Sequence, residues 1–380
     1  MSQQPYGSEK VIAVLKTVAI LAILYLFLVS IGMIGAAFKG IGHGYVETLI
    51  KSSSGPLIGL FIGILATSII QSSSTTTSLV VGMVAAGTFG SDPRTAVAAA
   101  IPYIMGANIG TSITNTIVSL GHITQKNEFR RAFSASVIHD FFNVISVIIL
   151  FPLQLSTGFI SKSANWLASL FIGADTVSFK SPIKMITKPA VTWIKQLFME
   201  QNIINPYWLL LIVALLLLFF SLRYLTVLIK SLVMVKLEAF FDSHIFKTWI
   251  RAMFFGAFIT ITVQSSSITT SLVVPLAGAG ILRLEQIFPY TLGANIGTTV
   301  TAILASLVSG THAPLAVAFG HLIFNIYGIA LIWPIPKIRR IPLQLARWFA
   351  EKAVQNRAIP FLYLVVVFFL IPLGLIFIAR

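Results

Sequence analysis

Residues 71–81 read Gln-Ser-Ser-Ser-Thr-Thr-Thr-Ser-Leu-Val-Val and residues 264–274 read Gln-Ser-Ser-Ser-Ile-Thr-Thr-Ser-Leu-Val-Val, so ten of eleven positions agree. A block this rich in hydroxyls is costly inside an apolar chain, because buried hydroxyls and amides without partners lose several kcal/mol each in hydrocarbon. Having it twice points to a use. The agreement continues downstream: Pro102-Tyr103 precedes Gly-Ala-Asn-Ile-Gly-Thr at 106–111, and Pro289-Tyr290 precedes the same six residues at 293–298. His139, Phe142 and Asn143 then have the spacing of His321, Phe324 and Asn325. Three motifs recurring in one order make an internal duplication.

The composition, 57% apolar and 10% charged with a mean hydropathy of +0.93, excludes a soluble domain and predicts an integral membrane protein. The formal charge of +15 is not a nucleic-acid footprint. Lys and Arg sit in loops between apolar spans, where the positive-inside bias and anionic headgroups account for them. The absence of cysteine rules out disulfides and thiolate metal sites. Residues 11–38 are too long for a leader core and read as a retained transmembrane helix.

Lys10 and Lys16 ahead of that span place the N-terminus in the cytoplasm, and residues 35–54 read as an interfacial amphipathic segment. Residues 56–87 carry no charge. The arms on either side of the polar block, roughly fourteen residues each, reach about 20 Å at about 1.5 Å per residue, short of the roughly 30 Å hydrocarbon core. This predicts a re-entrant helical hairpin with its tip at 71–74. Residues 95–121 are long enough to cross, with a break expected where glycines flank Asn108. Residues 132–155 cross back, closing a first repeat at 1–157. Residues 158–205 read as an external linker. The second repeat, 206–335, follows the same plan: a span at 207–229, an interfacial piece at 230–247, a hairpin at 248–280 with its tip at 264–267, a broken helix at 284–309 and a span at 313–334. Residues 336–380 add a basic segment and a C-terminal transmembrane helix. Three crossings per repeat force opposite orientations. The predicted fold is an all-α polytopic membrane protein of two inverted-topology repeats, each with a re-entrant hairpin and a broken transmembrane helix.

Such repeats bring the two tips and the two broken helices together near the midplane, where secondary transporters bind substrate. Backbone N–H groups at the starts of the second arms attract anions, beside the hydroxyls of Ser72, Ser73, Ser74, Ser265, Ser266 and Ser267. Freed carbonyls, with the side-chain oxygens of Gln71, Gln264, Asn108, Asn295, Thr111 and Thr298, suit an alkali cation. No Lys, Arg, Asp or Glu occurs at 52–91 or 252–282, so an anion held there needs bound cations for counter-charge. That requirement is itself a coupling mechanism.

Plainer readings exist for each motif. Hydroxyls act as glue between membrane helices, and Gly106/Gly110 and Gly293/Gly297 fit a GxxxG packing pattern. Recurrence of the same Gln, Asn and Thr at the same places favours function for the motif as a whole. His139 and His321 are expected to hydrogen-bond neighbouring backbone or Asn143 and Asn325 rather than carry protons. Asp140, replaced by Leu322 in the second copy, reads either as a coupling carboxylate or as half of an ion pair with Arg130 or Arg131. With no phosphate loop, no His/Glu metal pair at helical spacing and no nucleophile elbow, an enzyme is not expected.

The paired Gln-Ser-Ser-Ser and Gly-Ala-Asn-Ile-Gly-Thr runs, with Phe129-Arg130-Arg131-Ala132-Phe133 leading to His139-Asp140-Phe141-Phe142-Asn143, resemble the type II sodium/phosphate cotransporters. The resemblance covers roughly residues 56–157 and 248–335. It implies import of inorganic phosphate driven by sodium, with elevator-like alternation of access and no organic cofactor. It implies phosphate around Ser72, Ser73, Ser74, Thr75, Ser266 and Ser267, and sodium around Gln71, Gln264, Ser265, Asn108, Thr111, Asn295, Thr298 and Thr301. His139, Asp140, Asn143, His321, Asn325 and Arg131 remain as coupling or structural residues. The lack of cysteine, of Asn-x-Ser/Thr sites and of long tails points to a prokaryotic member in a bacterial inner membrane. Another small oxyanion or dicarboxylate as cargo, or a passive anion channel, are the competing readings.

Overall fold

A computed structural model describes residues 6–41, 55–172, 182–200, 206–217, 220, 221, 224 and 245–378. Residues 42–54 of the first expected interfacial segment, most of the second, and the end of the span expected at 207–229 lie outside the described residues.

The described chain is helical throughout: α1 (Tyr6–Ile41), α2 (Pro56–Ile70), α3 (Ser73–Ala85), α4 (Pro93–Gly110), α5 (Ile113–Leu120), α6 (Lys126–Thr157), α7 (Phe159–Ile172), α8 (Pro182–Met199), α9 (Pro206–Leu217), α10 (Trp249–Val263), α11 (Ser266–Gly278), α12 (Leu284–Ser309), α13 (His312–Ile332), α14 (Pro336–Gln355) and α15 (Ala358–Ile378), the last with a π turn at Val366–Leu370. Five stretches among the described residues are long and apolar enough to cross a membrane: Pro93–Leu120, α6, α12, α13 and α15. The protein is an all-α, multi-pass membrane protein.

Helix starts follow local chemistry. Pro56 opens α2 and Pro93 opens α4, each where a missing N–H costs nothing. Asp92 caps α4 by accepting from the Thr95 N–H at 2.9 Å, a bond that holds its carboxyl below the ordinary range. Thr248 caps α10 through the Arg251 N–H.

Packing repeats with the sequence. The two most extensively packed pairs are α10 on α12 and α2 on α4, and glycines let these helices approach. A Cβ on Gly106 would lie 1.9 Å from the Leu60 carbonyl oxygen, and one on Gly293 would lie 1.8 Å from that of Met253. Other contacts run crosswise: α3 packs on α12 and α13, whereas α11 packs on α5 and α6. The largest apolar core accordingly draws on both halves, joining Val80, Ile101 and Ile104 to Ala316, Phe319 and Phe324.

Two expectations are corrected, both at the broken helices. The first broken helix opens at Thr111–Ser112, just after the glycine run, which itself is helical. The second copy does not break: Leu284–Ser309 is one helix through Gly293 and Gly297. The glycines serve helix approach in both copies, letting the backbone of α4 meet that of α2 and the backbone of α12 meet that of α10. Within 158–205, read as a linker, Phe159–Ile172 and Pro182–Met199 are helices. α7 packs on α13 as α14 packs on α6, so each half ends in a helix laid on the other half.

Candidate substrate and ion site

Each Gln-Ser pair makes the turn between two helices. Gln71 has φ 59 and ψ 28 and Gln264 φ 55 and ψ 28, and they are the non-glycine residues with positive φ among the described residues. Ser72 and Ser265 follow in extended conformation (φ −155 in both) and cap α3 and α11, accepting from the N–H of Thr75 and Ile268. A left-handed glutamine is unusual and costs on the order of 1 kcal/mol. The side chain supplies the return. Its Nε2 donates to the preceding turn, Gln71 to the Ser68 carbonyl at 2.6 Å and Gln264 to the Ile261 carbonyl at 2.9 Å. Its Oε1 accepts from a threonine on the neighbouring helix, Thr114 at 3.0 Å and Thr301 at 2.5 Å. Glycine would make the turn and lose both bonds.

The turns meet. The Ser74 hydroxyl donates to the Gln264 carbonyl at 3.4 Å, and the Ser267 hydroxyl to the Thr111 carbonyl, also at 3.4 Å. That carbonyl is free because α4 has just ended. Ser73, Ser74, Ser266 and Ser267 are buried at the first helical positions of α3 and α11, whose N–H groups have no acceptor within their own helix. The hydroxyls of Ser73 and Ser266 make no hydrogen bond among the described residues. Other hydroxyls are occupied: Thr75 bonds Ser72 Oγ at 2.9 Å, and Thr111 and Thr298 bond back to the Ala107 and Ala294 carbonyls at 3.0 Å.

Behind the turns lies a fully buried network that crosses between the halves. Asn108 donates to Asn325 Oδ1 at 3.0 Å and pairs through its own Oδ1 with His321 Nε2 at 3.0 Å. Its counterpart Asn295 donates to Asn143 Oδ1 at 2.9 Å and pairs with His139 Nε2 at 2.5 Å. Asn143 and Asn325 donate in turn to the Asn108 and Asn295 carbonyls. Each asparagine of the Gly-Ala-Asn-Ile-Gly motif is therefore held by the His and Asn of the other half. The histidine rings bond across the duplication; locally, Asn325 Nδ2 donates to the His321 carbonyl at 3.1 Å, while Asn143 Nδ2 lies 3.3 Å from the His139 Nε2 that faces Asn295.

The expected ion pair of Asp140 with Arg130 or Arg131 is not formed. Asp140 is buried and accepts from the Tyr363 hydroxyl of α15 at 2.8 Å. Arg131 instead donates to the Ala277 and Gly278 carbonyls at the end of α11, where a cation complements the helix dipole. Three participants were missed from the sequence. Thr114 was legible, since it stands to Asn108 as Thr301 stands to Asn295. Asn115, which accepts from Thr270 and Ser271 at 2.9 Å, has Ala302 as its counterpart and gave no signal. Tyr363 lies outside the duplication.

The Na+/Pi-cotransporter family profile matches residues 26–178 and 217–337, taking in both turns and the whole network. The chain belongs to that family. Among its relatives, sodium-dependent phosphate transport protein 2B of Homo sapiens is 33% identical over 94% of this chain and 64% of that protein, and the Pongo abelii 2B protein gives the same figures. The Mus musculus 2A protein is 33% identical over 97% of this chain and 69% of its own length. The chain thus spans 64% of the length of the 2B proteins. No solved structure matches it. The Na+/Pi-cotransporter profile ends at residue 337, so α15 lies beyond it and Tyr363 reaches back to Asp140 inside it.

Proposed function

We propose that this chain is a secondary active symporter that imports inorganic phosphate with sodium, down the sodium gradient, across a bacterial inner membrane. Its N-terminus is cytoplasmic. The two halves are inverted-topology repeats, α2–α3 and α10–α11 are re-entrant hairpins, and access alternates in an elevator-like manner. The relatives' names carry the choice of sodium and phosphate. The observation that carries the site is the meeting of two uncharged serine turns, Ser74 Oγ to Gln264 O at 3.4 Å, with two helix N-termini and the free hydroxyls of Ser73 and Ser266 beside them.

Phosphate sits against Ser72, Ser73, Ser74, Thr75, Ser266 and Ser267, held by backbone N–H groups and hydroxyls. Sodium takes oxygens from Gln71, Gln264, Ser265, Thr111, Thr298 and Thr301, with Thr114 added by its bond to Gln71. Asn108 and Asn295 were expected as sodium ligands. Their amides are both engaged in the network, which favours a framing role, with their backbone carbonyls accepting from Asn143 and Asn325. Because the turns hold no fixed charge, phosphate and sodium stabilise each other's binding.

The test is phosphate uptake into proteoliposomes with sodium, lithium, potassium or proton gradients imposed one at a time. Strong dependence on sodium is expected, and Gln71→Ala and Gln264→Ala each reduce apparent sodium affinity about tenfold or more, as for loss of a charge-assisted contact. Uptake driven equally by protons alone, or continuing passively with no gradient, would overturn the assignment. Competition by sulfate, arsenate or a dicarboxylate stronger than that by phosphate itself would reassign the cargo.

A further inference from the structure

A cavity of about 580 Å³ lies well away from the turns, where the start of α6, the end of α11, the start of α12 and α14 converge. Its charged lining is Arg130, Arg131, Arg283 and Arg347 against Glu285 and Glu351, four positive and two negative, hence net +2. Arg347 is committed to Glu285 and Arg131 to the carbonyls of α11. Arg130 and Arg283 have no ion-pair partner among the described residues. Scattered surface arginines would be a solvated face. Here Arg130, Arg283 and Arg347 are exposed and Arg131 half-buried, and all four line one concavity with Ala135, Ala277 and Leu282, so it is the convergence of their charges that sets the site apart. α11 spans 13 residues from Ser266 at the turn to Gly278 at the cavity, so about 20 Å separates this site from the turns.

We propose that this cavity is a second oxyanion site, which binds inorganic phosphate through Arg130 and Arg283 without needing sodium. The proposal rests on the phosphate-transport reading for its ligand. It differs in mechanism, because fixed guanidinium charge does here what sodium does at the turns. Arg is suited to the task, its planar fork matching two phosphate oxygens. Lys126 opens α6 beside it, so the site faces the cytoplasm by the Lys/Arg rule, where it receives phosphate released from the turns. A counterpart of about 890 Å³ is formed by the starts of α4 and α13 with α7, the equivalent elements of the duplication, and is also basic through Arg94 and Lys162. The Asp92 carboxylate there is engaged as the α4 cap.

The experiment is equilibrium dialysis of the purified full chain in neutral detergent against labelled inorganic phosphate, in potassium chloride and in sodium chloride. A sodium-independent component is expected that weakens as ionic strength rises. In Arg130→Gln/Arg283→Gln that component weakens about tenfold or more, whereas sodium-dependent binding at the turns is retained. Arg130→Lys/Arg283→Lys keeps most of it and guards against a folding defect. Binding in sodium with none in potassium, or a potassium component unchanged in the glutamine pair, would overturn the proposal while leaving transport intact. The opposite pattern, binding in potassium with no added component in sodium, would sink the transport reading and keep this site. Short-chain phosphatidylglycerol displacing the label at concentrations far below those at which phosphate binds would assign the arginines to a lipid headgroup and overturn inorganic phosphate as the ligand.

Discussion

The two serine turns are alike in backbone and unlike in what they touch. Gln71 and Gln264 adopt the same left-handed geometry, followed by serines in the same extended conformation. Yet Ser74 reaches the other turn, whereas Ser267 reaches the Thr111 carbonyl at the gap between α4 and α5. The second half has no such gap, because α12 runs unbroken through Thr298. The duplication therefore preserves what is packed and buried in hydrogen-bonded pairs, and the halves diverge where a backbone oxygen is set free. Asp140 against Leu322 and Asn115 against Ala302 are further divergences, both at side chains that bond outside the shared network.

The harshest way to break the equivalence is at the helix contacts. Gly106→Ala and Gly293→Ala each push a methyl into a backbone carbonyl of the neighbouring helix, at 1.9 and 1.8 Å, and backbone cannot swing aside as a side chain can. Each is expected to cost about 3 kcal/mol, seen as a large drop in thermal unfolding temperature in detergent. Gly374→Ala, with no atom within 4 Å, is the neutral control. Tolerance of alanine at one position and not the other would show that the two helix pairs are not packed alike.

The network comes next. Asn108→Ala takes the partner from His321 Nε2 and the donor from Asn325 Oδ1, and Asn295→Ala does the same to His139 Nε2 and Asn143 Oδ1. Each loses about 1–3 kcal/mol, with near-equal losses for the two. Double-mutant cycles for Asn108 with His321 and Asn295 with His139 are expected to give about 0.6–1.7 kcal/mol of coupling. Coupling in one pair alone would break the symmetry at its centre.

How far the sequence carried the reading follows from the same contrast. A repeated motif is visible as a repeat, so the turns at Gln71 and Gln264, their capping serines and the residues of the network were all legible. What those residues bond to was less so. The crossed pairing of each asparagine with the opposite half depends on how the halves interlock, which no local pattern encodes. The glycine runs were misjudged as openings because flexibility and close approach favour the same residue, and only the position of Leu60 and Met253 decides between them. Tyr363 could not be found at all, since a tyrosine in an apolar terminal span carries no mark of its partner.

The smallest effect tests the divergence itself. Asn115 Oδ1 accepts from the hydroxyls of Thr270 and Ser271, fastening α5 to the second hairpin arm α11. In Asn115→Ala the two donors fare differently. Thr270 has a second acceptor in place, the Ser266 carbonyl at 2.7 Å, and its single proton can go there without cost. Ser271 has none, so its hydroxyl alone is left short, and it is half-buried. The expected loss is about 0.5–1 kcal/mol. It follows that Ser271→Ala costs about as much as Asn115→Ala, and that the double variant costs no more than either alone. Additive losses would mean that Asn115 is fastened elsewhere.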